Sequence, residues 1–288
     1  MNKIIDPHLH FFSLQKGQYH WLKHNPPAWP NLEQIRQDHL PDALLDQSGF
    51  TLEGCVHIEA GFDNDQPRRE LTWLAEILPA SRYKAVSYAQ IDAPAAQFRA
   101  QLDALRHPSL VAIRDITEGQ DATRLQSPQV TENLAYLSEC GLHFEAQFEL
   151  SQHNIVKHLC HITQQLPQLR IMLNHSGLVG QHDDWQDNAA MLAAQPNCAI
   201  KFSGHELLDH PQPLQTQLNR LLALFGRKRV MFASNHPVCL IQHSYEAIWQ
   251  QYLSLCREDA PLWHRLSYAN AKDWYGFNGS EPSRMPPD

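Results

Sequence analysis

The sequence predicts an α/β protein, a single (β/α)8 TIM barrel. Two observations lead there. Eight short runs rich in apolar and β-branched residues recur along the 288-residue chain, and amphipathic helical stretches separate them. Strands alternating with helices pair in parallel through right-handed crossovers, and eight such units close into a barrel. A third observation sets the domain count. No internal repeat or low-complexity tract interrupts the alternation, and about 250 residues is ordinary for one such barrel. One domain is therefore expected over 1–278.

In chain order, strand one is "KIIDPHL" (3–9), where Ile4 and Ile5 lead into alternating polar positions. A long irregular segment, 11–39, follows with "WLKHNPPAWP", and is expected as an extended loop over the barrel mouth. Strand two, "GCVHIEA" (54–60), precedes the helical pattern "RRELTWLAEIL". Strand three, "KAVSYAQ" (84–90), precedes "AAQFRAQLDALR". Strand four, "LVAIRDI" (110–116), leads to "VTENLAYLSECG", which Ser127-Pro128 opens and Gly141 follows. Strand five, "LHFEAQF" (142–148), is followed by "NIVKHLCHITQQL", and strand six, "LRIMLNH" (169–175), by "NAAMLAAQ". Strand seven, "CAIKFSG" (198–204), leads to "PLQTQLNRLLALFG", which Gly226 stops. Strand eight, "RVMFAS" (229–234), leads to "SYEAIWQQYLSLC" and a last helix, "PLWHRLSYANAKDWYGF". The tail at 279–288, "GSEPSRMPPD", is expected to be disordered.

Composition narrows the function classes. Net charge is −8 and no Lys/Arg-rich run occurs, so nothing favours nucleic acid or an anionic membrane. No stretch approaches the roughly 18 apolar residues of a membrane span. The opening "MNKIIDPHLHFF" turns polar before a signal-peptide core could form. The six cysteines are scattered without a C-x-x-C pair, which suits buried small hydrophobes better than disulfides. A cytoplasmic protein acting on a small molecule is expected, with homo-oligomerisation left open.

Barrel enzymes carry their chemistry at the C-terminal ends of the strands. Strand one ends in His8 and His10, at i and i+2, so both imidazoles project from one face. Strand two offers His57 and Glu59, strand four Arg114, and strand five Glu145 and Gln147. Strand six offers His175, strand seven Lys201, and strand eight Asn235 and His236. Singly, each has a structural explanation: a core histidine, an ion-paired barrel end, an edge charge. Such groups recur at the same end of seven of the eight strands, inside apolar runs. Burying them all without function would cost desolvation at every position.

These blocks resemble the amidohydrolase superfamily, in the branch of metal-dependent TIM-barrel hydrolases that contains 2-pyrone-4,6-dicarboxylate lactonase and sugar-lactone lactonases. The resemblance covers nearly the whole chain. It rests on "IDPHLHFF", "AIRDI", "LAYLSECGLHFEAQ", "LPQLRIMLNHSG", "QPNCAIKFSG", "RVMFASNHPVC" and "YANAKDWYGF". It implies a hydrolase that opens a small carboxylated or sugar-derived lactone. On this pattern His8, His10 and His175 bind one divalent metal (zinc or manganese) or, in a metal-free reaction, the substrate carbonyl. Arg114 and Lys201 hold the substrate on the same pattern, and their strand-end positions make His57 and Gln147 further candidates for binding it. Two departures stand out: the pattern's strand-eight Asp is Asn235, with His236 beside it, and the Asp before the strand-six His is Asn174.

An amide has no useful basicity, so the proton acceptor for an attacking water is missing. His236 or His57 could replace it, since an imidazole titrates near neutral pH. The reaction could instead be one that needs no such base, as in the metal-dependent non-oxidative decarboxylases of the superfamily. Or the chain could be a silent relative that binds a small organic acid.

Overall fold

The computed structural model describes residues 2–45, 49–178, 184–208 and 213–277. The expected tail at 279–288 lies outside them. Eight strands form one sheet in strict chain order: β1 (Asn2–Leu9), β2 (Phe50–Ile58), β3 (Tyr83–Tyr88), β4 (Leu110–Ile116), β5 (His143–Gln147), β6 (Ile171–Leu173), β7 (Cys198–Phe202) and β8 (Val230–Phe232). The ladders are parallel, with Arg114 opposite Glu145, Ala146 opposite Leu173, and Leu173 opposite Ile200. Beyond β8 the chain runs beside β1: Leu9 bridges His236 in the parallel sense, and Asn235 N–H donates to His8 O at 2.9 Å. The fold is a (β/α)8 barrel, as the alternation of strands and helices predicts.

The principal helices are α1 (Arg68–Ile77), α2 (Ala95–Ala104), α3 (Pro128–Glu139), α4 (His153–Gln165), α5 (Asp184–Ala193), α6 (Leu214–Phe225) and α7 (Tyr245–Leu255). Their boundaries follow local chemistry. The Ser127 hydroxyl accepts from Gln129 N–H at the start of α3, and Pro128 takes the first turn, where its missing N–H costs nothing. Val130, Asn133, Leu134 and Leu137 then form one buried stripe. α6 stops at Gly226, whose φ of +71° suits a residue without Cβ. β2 begins four residues before the apolar run at 54–60, because Thr51 and Glu53 alternate with buried Phe50 and Leu52. α5 likewise starts earlier than "NAAMLAAQ", with Asp184 and Asp187 in its first turn.

The chain groups into two compact units, one of Met1–Ser87 with Met231–Ser280, the other centred on Tyr88–Val230. In the first, Phe50, Phe232, Trp249, Tyr252 and Trp263 form an aromatic cluster, with Phe232 stacked on Tyr252 at 4.6 Å. In the second, the strand residues Ile113, Phe144, Ile171, Met172, Ala199 and Ile200 are wholly buried, as are the helix residues Leu134, Leu159, Leu192 and Leu218. Apolar burial of this kind stabilises by roughly 25 cal/mol per Å². No helix among the described residues is long and apolar enough to cross a membrane.

Candidate active site

In the first unit, alternation along β1 turns Asp6 and His8 to one face, and His10 follows at the same spacing. Asp6 is fully buried and its Oδ1 accepts from His8 N–H and Ser234 N–H, both at 3.1 Å. Burial pushes its carboxyl up to about 6 even though the hydrogen bonds from Ser234 and His8 oppose the shift. His10 Nδ1 lies 2.8 Å from Ile58 O. A carbonyl only accepts, so Nδ1 carries the proton and Nε2 keeps its lone pair.

His57 is placed differently from its expected substrate-binding role. Its Nδ1 accepts from Phe11 N–H at 3.1 Å, and its Nε2 lies 2.9 Å from Glu70 Oε1, with the ring fully buried. Both ring nitrogens are committed to the protein, leaving none for substrate or for taking a proton from water. Glu70 comes from the middle of α1, and nothing in its local sequence marks it. Its Oε1 also accepts from Ala60 N–H at 3.1 Å.

Asn235 occupies the turn after β8 with φ +56°, a left-handed conformation that Asn adopts more readily than most residues. His236 follows, and its backbone carbonyl accepts from His10 N–H at 2.6 Å. Its ring packs edge-on against His39 and Tyr245, at centroid distances of 5.1 and 5.6 Å. Nδ1 of His236 is buried and meets no hydrogen-bond partner. Burial, with the nearby His39, lowers its pKa to about 3, so the ring is neutral at pH 7. His39 arrives through the segment at 11–39. That segment is tied down by the paired backbone hydrogen bonds of Phe12 with His39 and by Trp21 Nε1 donating to Ala60 O.

The second unit holds a polar cluster at the ends of β4 to β7. Arg114 Nη1 donates to Gln147 Oε1, and Gln147 Nε2 donates to Glu118 Oε1, both at 2.8 Å. Lys201 Nζ donates to Glu145 Oε2 at 2.6 Å, and His143 Nε2 donates to Glu145 Oε1 at 3.2 Å, all three side chains being wholly buried. Burial works against the Glu145 carboxylate, yet the Lys201 charge and the His143 hydrogen bond together bring its pKa down to about 2. His175 sits beside Ser203 Oγ at 3.1 Å. Burial first, then the Arg114 and Lys201 charges, hold it neutral, well below the usual histidine range.

β6 ends in an unusual backbone. His175, Ser176, Gly177 and Leu178 run consecutively through the left-handed region with φ of 50°, 55°, 68° and 48°. Gly177 N–H donates to Asn174 O, Trp185 Nε1 donates to Ser176 O, and Leu150 N–H donates to Gly177 O. Gly204 makes room for this turn: a Cβ there would lie 2.5 Å from His175 Cβ.

The structure thus brings His8, His10, Asn235 and His236 together in one unit, and Arg114, Gln147, Lys201 and His175 in the other. The sequence offers Glu145 as a strand-end group, with an edge charge as its structural explanation, but gives no role to Asp6, His39, Tyr245, His143 or Ser203. The alternation of His143, Glu145 and Gln147 along β5 was the available signal, because period two puts them on one face. No three His, Cys, Asp or Glu side chains gather as a ligand set among the described residues. The strand-eight position that would add a carboxylate is an amide. Three imidazoles, His8, His10 and His175, are nonetheless the donor types that a catalytic divalent site uses, with water in the open position.

Comparison with known proteins agrees with this architecture. A protein of Sinorhizobium fredii, y4mH, whose function is uncharacterised, is 28% identical over 273 residues, covering 86% of this chain and 90% of its own. An L-fucono-1,5-lactonase of Burkholderia multivorans is 24% identical over 293 residues, covering 90% and 92%. Among solved structures, an amidohydrolase of Burkholderia multivorans with bound zinc superimposes with a TM-score of 0.77 at 20% identity, covering 95% of this chain and 99% of its own. A Pseudomonas putida protein designated a 2-pyrone-4,6-dicarboxylic acid hydrolase gives 0.71 at 21%, covering 96% and 98%. At these identities the structures speak for the fold. The family model described as Amidohydrolase matches residues 5–277. Running from the first barrel strand to the end of the described chain, that match makes the protein a member of the amidohydrolase family.

Proposed function

We propose that the protein is a hydrolase that opens a small carboxylated or sugar-derived lactone by attack of water. The carrying observation is that buried cations, Arg114 and Lys201, are held among neutral imidazoles at strand ends where apolar side chains would otherwise stand. The likeness to an L-fucono-1,5-lactonase supports the same substrate class.

In this reading water adds to the ring carbonyl carbon and the carbonyl oxygen takes up negative charge. The ring C–O bond then breaks and its oxygen leaves with one proton, giving a hydroxy acid. Arg114 and Lys201 stabilise the negative charge of the substrate carboxylate and of the oxyanion, in surroundings where such contacts are worth more than in water. His236 presents the unpartnered Nδ1. A proton acceptor has to be unprotonated at rest, and burial keeps His236 in that state. In this reading the His236 ring is the acceptor for the proton of water. Of the two histidines that the sequence offers as substitutes for the missing Asp, His57 is committed elsewhere, so His236 takes the role.

The test is a panel of carboxylated and sugar lactones run on wild type, His236→Gln, His8→Ala and Asn235→Asp, with metal content measured on each. Wild type is expected to turn over at least one lactone. His236→Gln is expected to lower kcat by about 10²–10⁴-fold, the usual worth of a general base. Turnover by Asn235→Asp alone would show that the natural chain is a silent relative that binds a small acid.

A further inference from the structure

Asn174 ends the last β6 ladder step, its N–H donating to Ala146 O at 2.9 Å. The register of β5, β6 and β7 puts it one step beyond the row of Ala146, Leu173 and Ile200, level with Gln147 and Lys201. Its side chain is 1% exposed, and neither Oδ1 nor Nδ2 meets a hydrogen-bond partner. A buried carboxamide with both ends unsatisfied is destabilising as it stands. The left-handed turn of His175 to Leu178 follows at once, a conformation that L-residues adopt at an energetic cost. Trp185, Leu150 and Ser203 hold that turn in place. The protein therefore carries two local costs side by side at a barrel strand end, the pattern of a site completed by its ligand.

Resting on the lactonase reading above, we propose that Asn174 reads a hydroxyl on the substrate. Oδ1 accepts the hydroxyl proton and Nδ2 donates to an adjacent carbonyl or carboxylate oxygen. The two unpaired ends of one amide match the donor and acceptor that a hydroxylated lactone, or the hydroxy acid it yields, presents side by side. Neighbouring Lys201 and Gln147 suit the oxygen-rich part of the same molecule. A ligand lacking the hydroxyl would leave Oδ1 buried and unpaired, so discrimination follows from the site itself.

Two probe pairs test this: hydrolysis of L-fucono-1,5-lactone against δ-valerolactone, and calorimetric binding of malate against succinate. Wild type is expected to favour the hydroxylated member. Asn174→Leu, close in volume, is expected to reduce that preference about tenfold or more, the worth of one net hydrogen bond. The same variant is expected to raise Tm, because it removes two unsatisfied buried atoms. Asn174→Asp keeps the acceptor and loses the donor, and is expected to fall between. If Asn174→Leu does not fold, Asn174→Ser reads the same ratio. A preference that survives in the variant overturns the assignment, as does a wild type that favours neither member of either pair. If neither lactone is hydrolysed but malate is preferred through Asn174, the lactonase reading fails and the hydroxyl site stands.

Discussion

His57 shows how one buried side chain can look functional while serving the frame. Phe11 N–H and the Glu70 carboxylate take its two nitrogens, and Phe11 directly follows His10. The pair thus pins the exit of β1 and with it the aim of His10. His57→Leu would take the imidazole donor from buried Glu70, which keeps the Ala60 N–H. The expected loss of stability is about 3–5 kcal/mol, typical of an abandoned buried partner, read from urea midpoints. Glu70→Gln keeps an acceptor for the ring and is expected to cost about 1 kcal/mol. Equal, small losses from both would remove the pinning role. At this scale the sequence was partly legible. Alternation placed the β1 histidines, but Glu70 reaches His57 only because α1 folds back on β2, a contact that no spacing rule anticipates.

Among the elements, the end of β6 departs furthest from the pattern. The apolar run through 169–175 reads as strand to its last residue, whereas the strand stops at Leu173 and the backbone turns left-handed at His175. Three of the four turn residues are not glycine, and each costs about 1–2 kcal/mol in that conformation. Contacts from other elements hold it there, which is why the local sequence does not announce it. Gly204, itself at φ +78°, lets the ring of His175 come close. Gly204→Ala is expected to destabilise by about 2–4 kcal/mol, from backbone strain together with the clash against His175. A crystal structure of the variant should show the imidazole displaced from Ser203. An unchanged Tm and an unmoved ring would mean that the close approach is incidental.

For the whole molecule, acid stability follows from the buried titrating groups. His143, wholly buried, stays neutral down to about 4, and His236 down to about 3, both lowered by burial. Below pH 6.5 the unfolded chain protonates both while the native protein does not, so stability falls as pH drops through that window. Glu145, held ionised down to about 2, adds a further loss between about 4.5 and 2. Asp6 works the other way between about 6 and 3.8, because burial raises its native pKa and the native state takes the proton first. Two histidines outweigh one carboxyl between pH 6.5 and 5, and the urea midpoint is expected to fall over that range. His143→Gln keeps an N–H for Glu145 without titrating, and should make the decline shallower. A midpoint that is flat from pH 7 to 5 would contradict this account. The sequence by itself determined the barrel, since eight alternations of period two and period 3.6 admit little else, and it placed the polar strand ends, since period two assigns each residue a face. Only the tertiary structure decided what each polar group does there. Whether an imidazole is committed, like His57, or left with an open nitrogen, like His236, depends on partners distant in the chain. Burial then sets its charge, and neither property is encoded in local spacing.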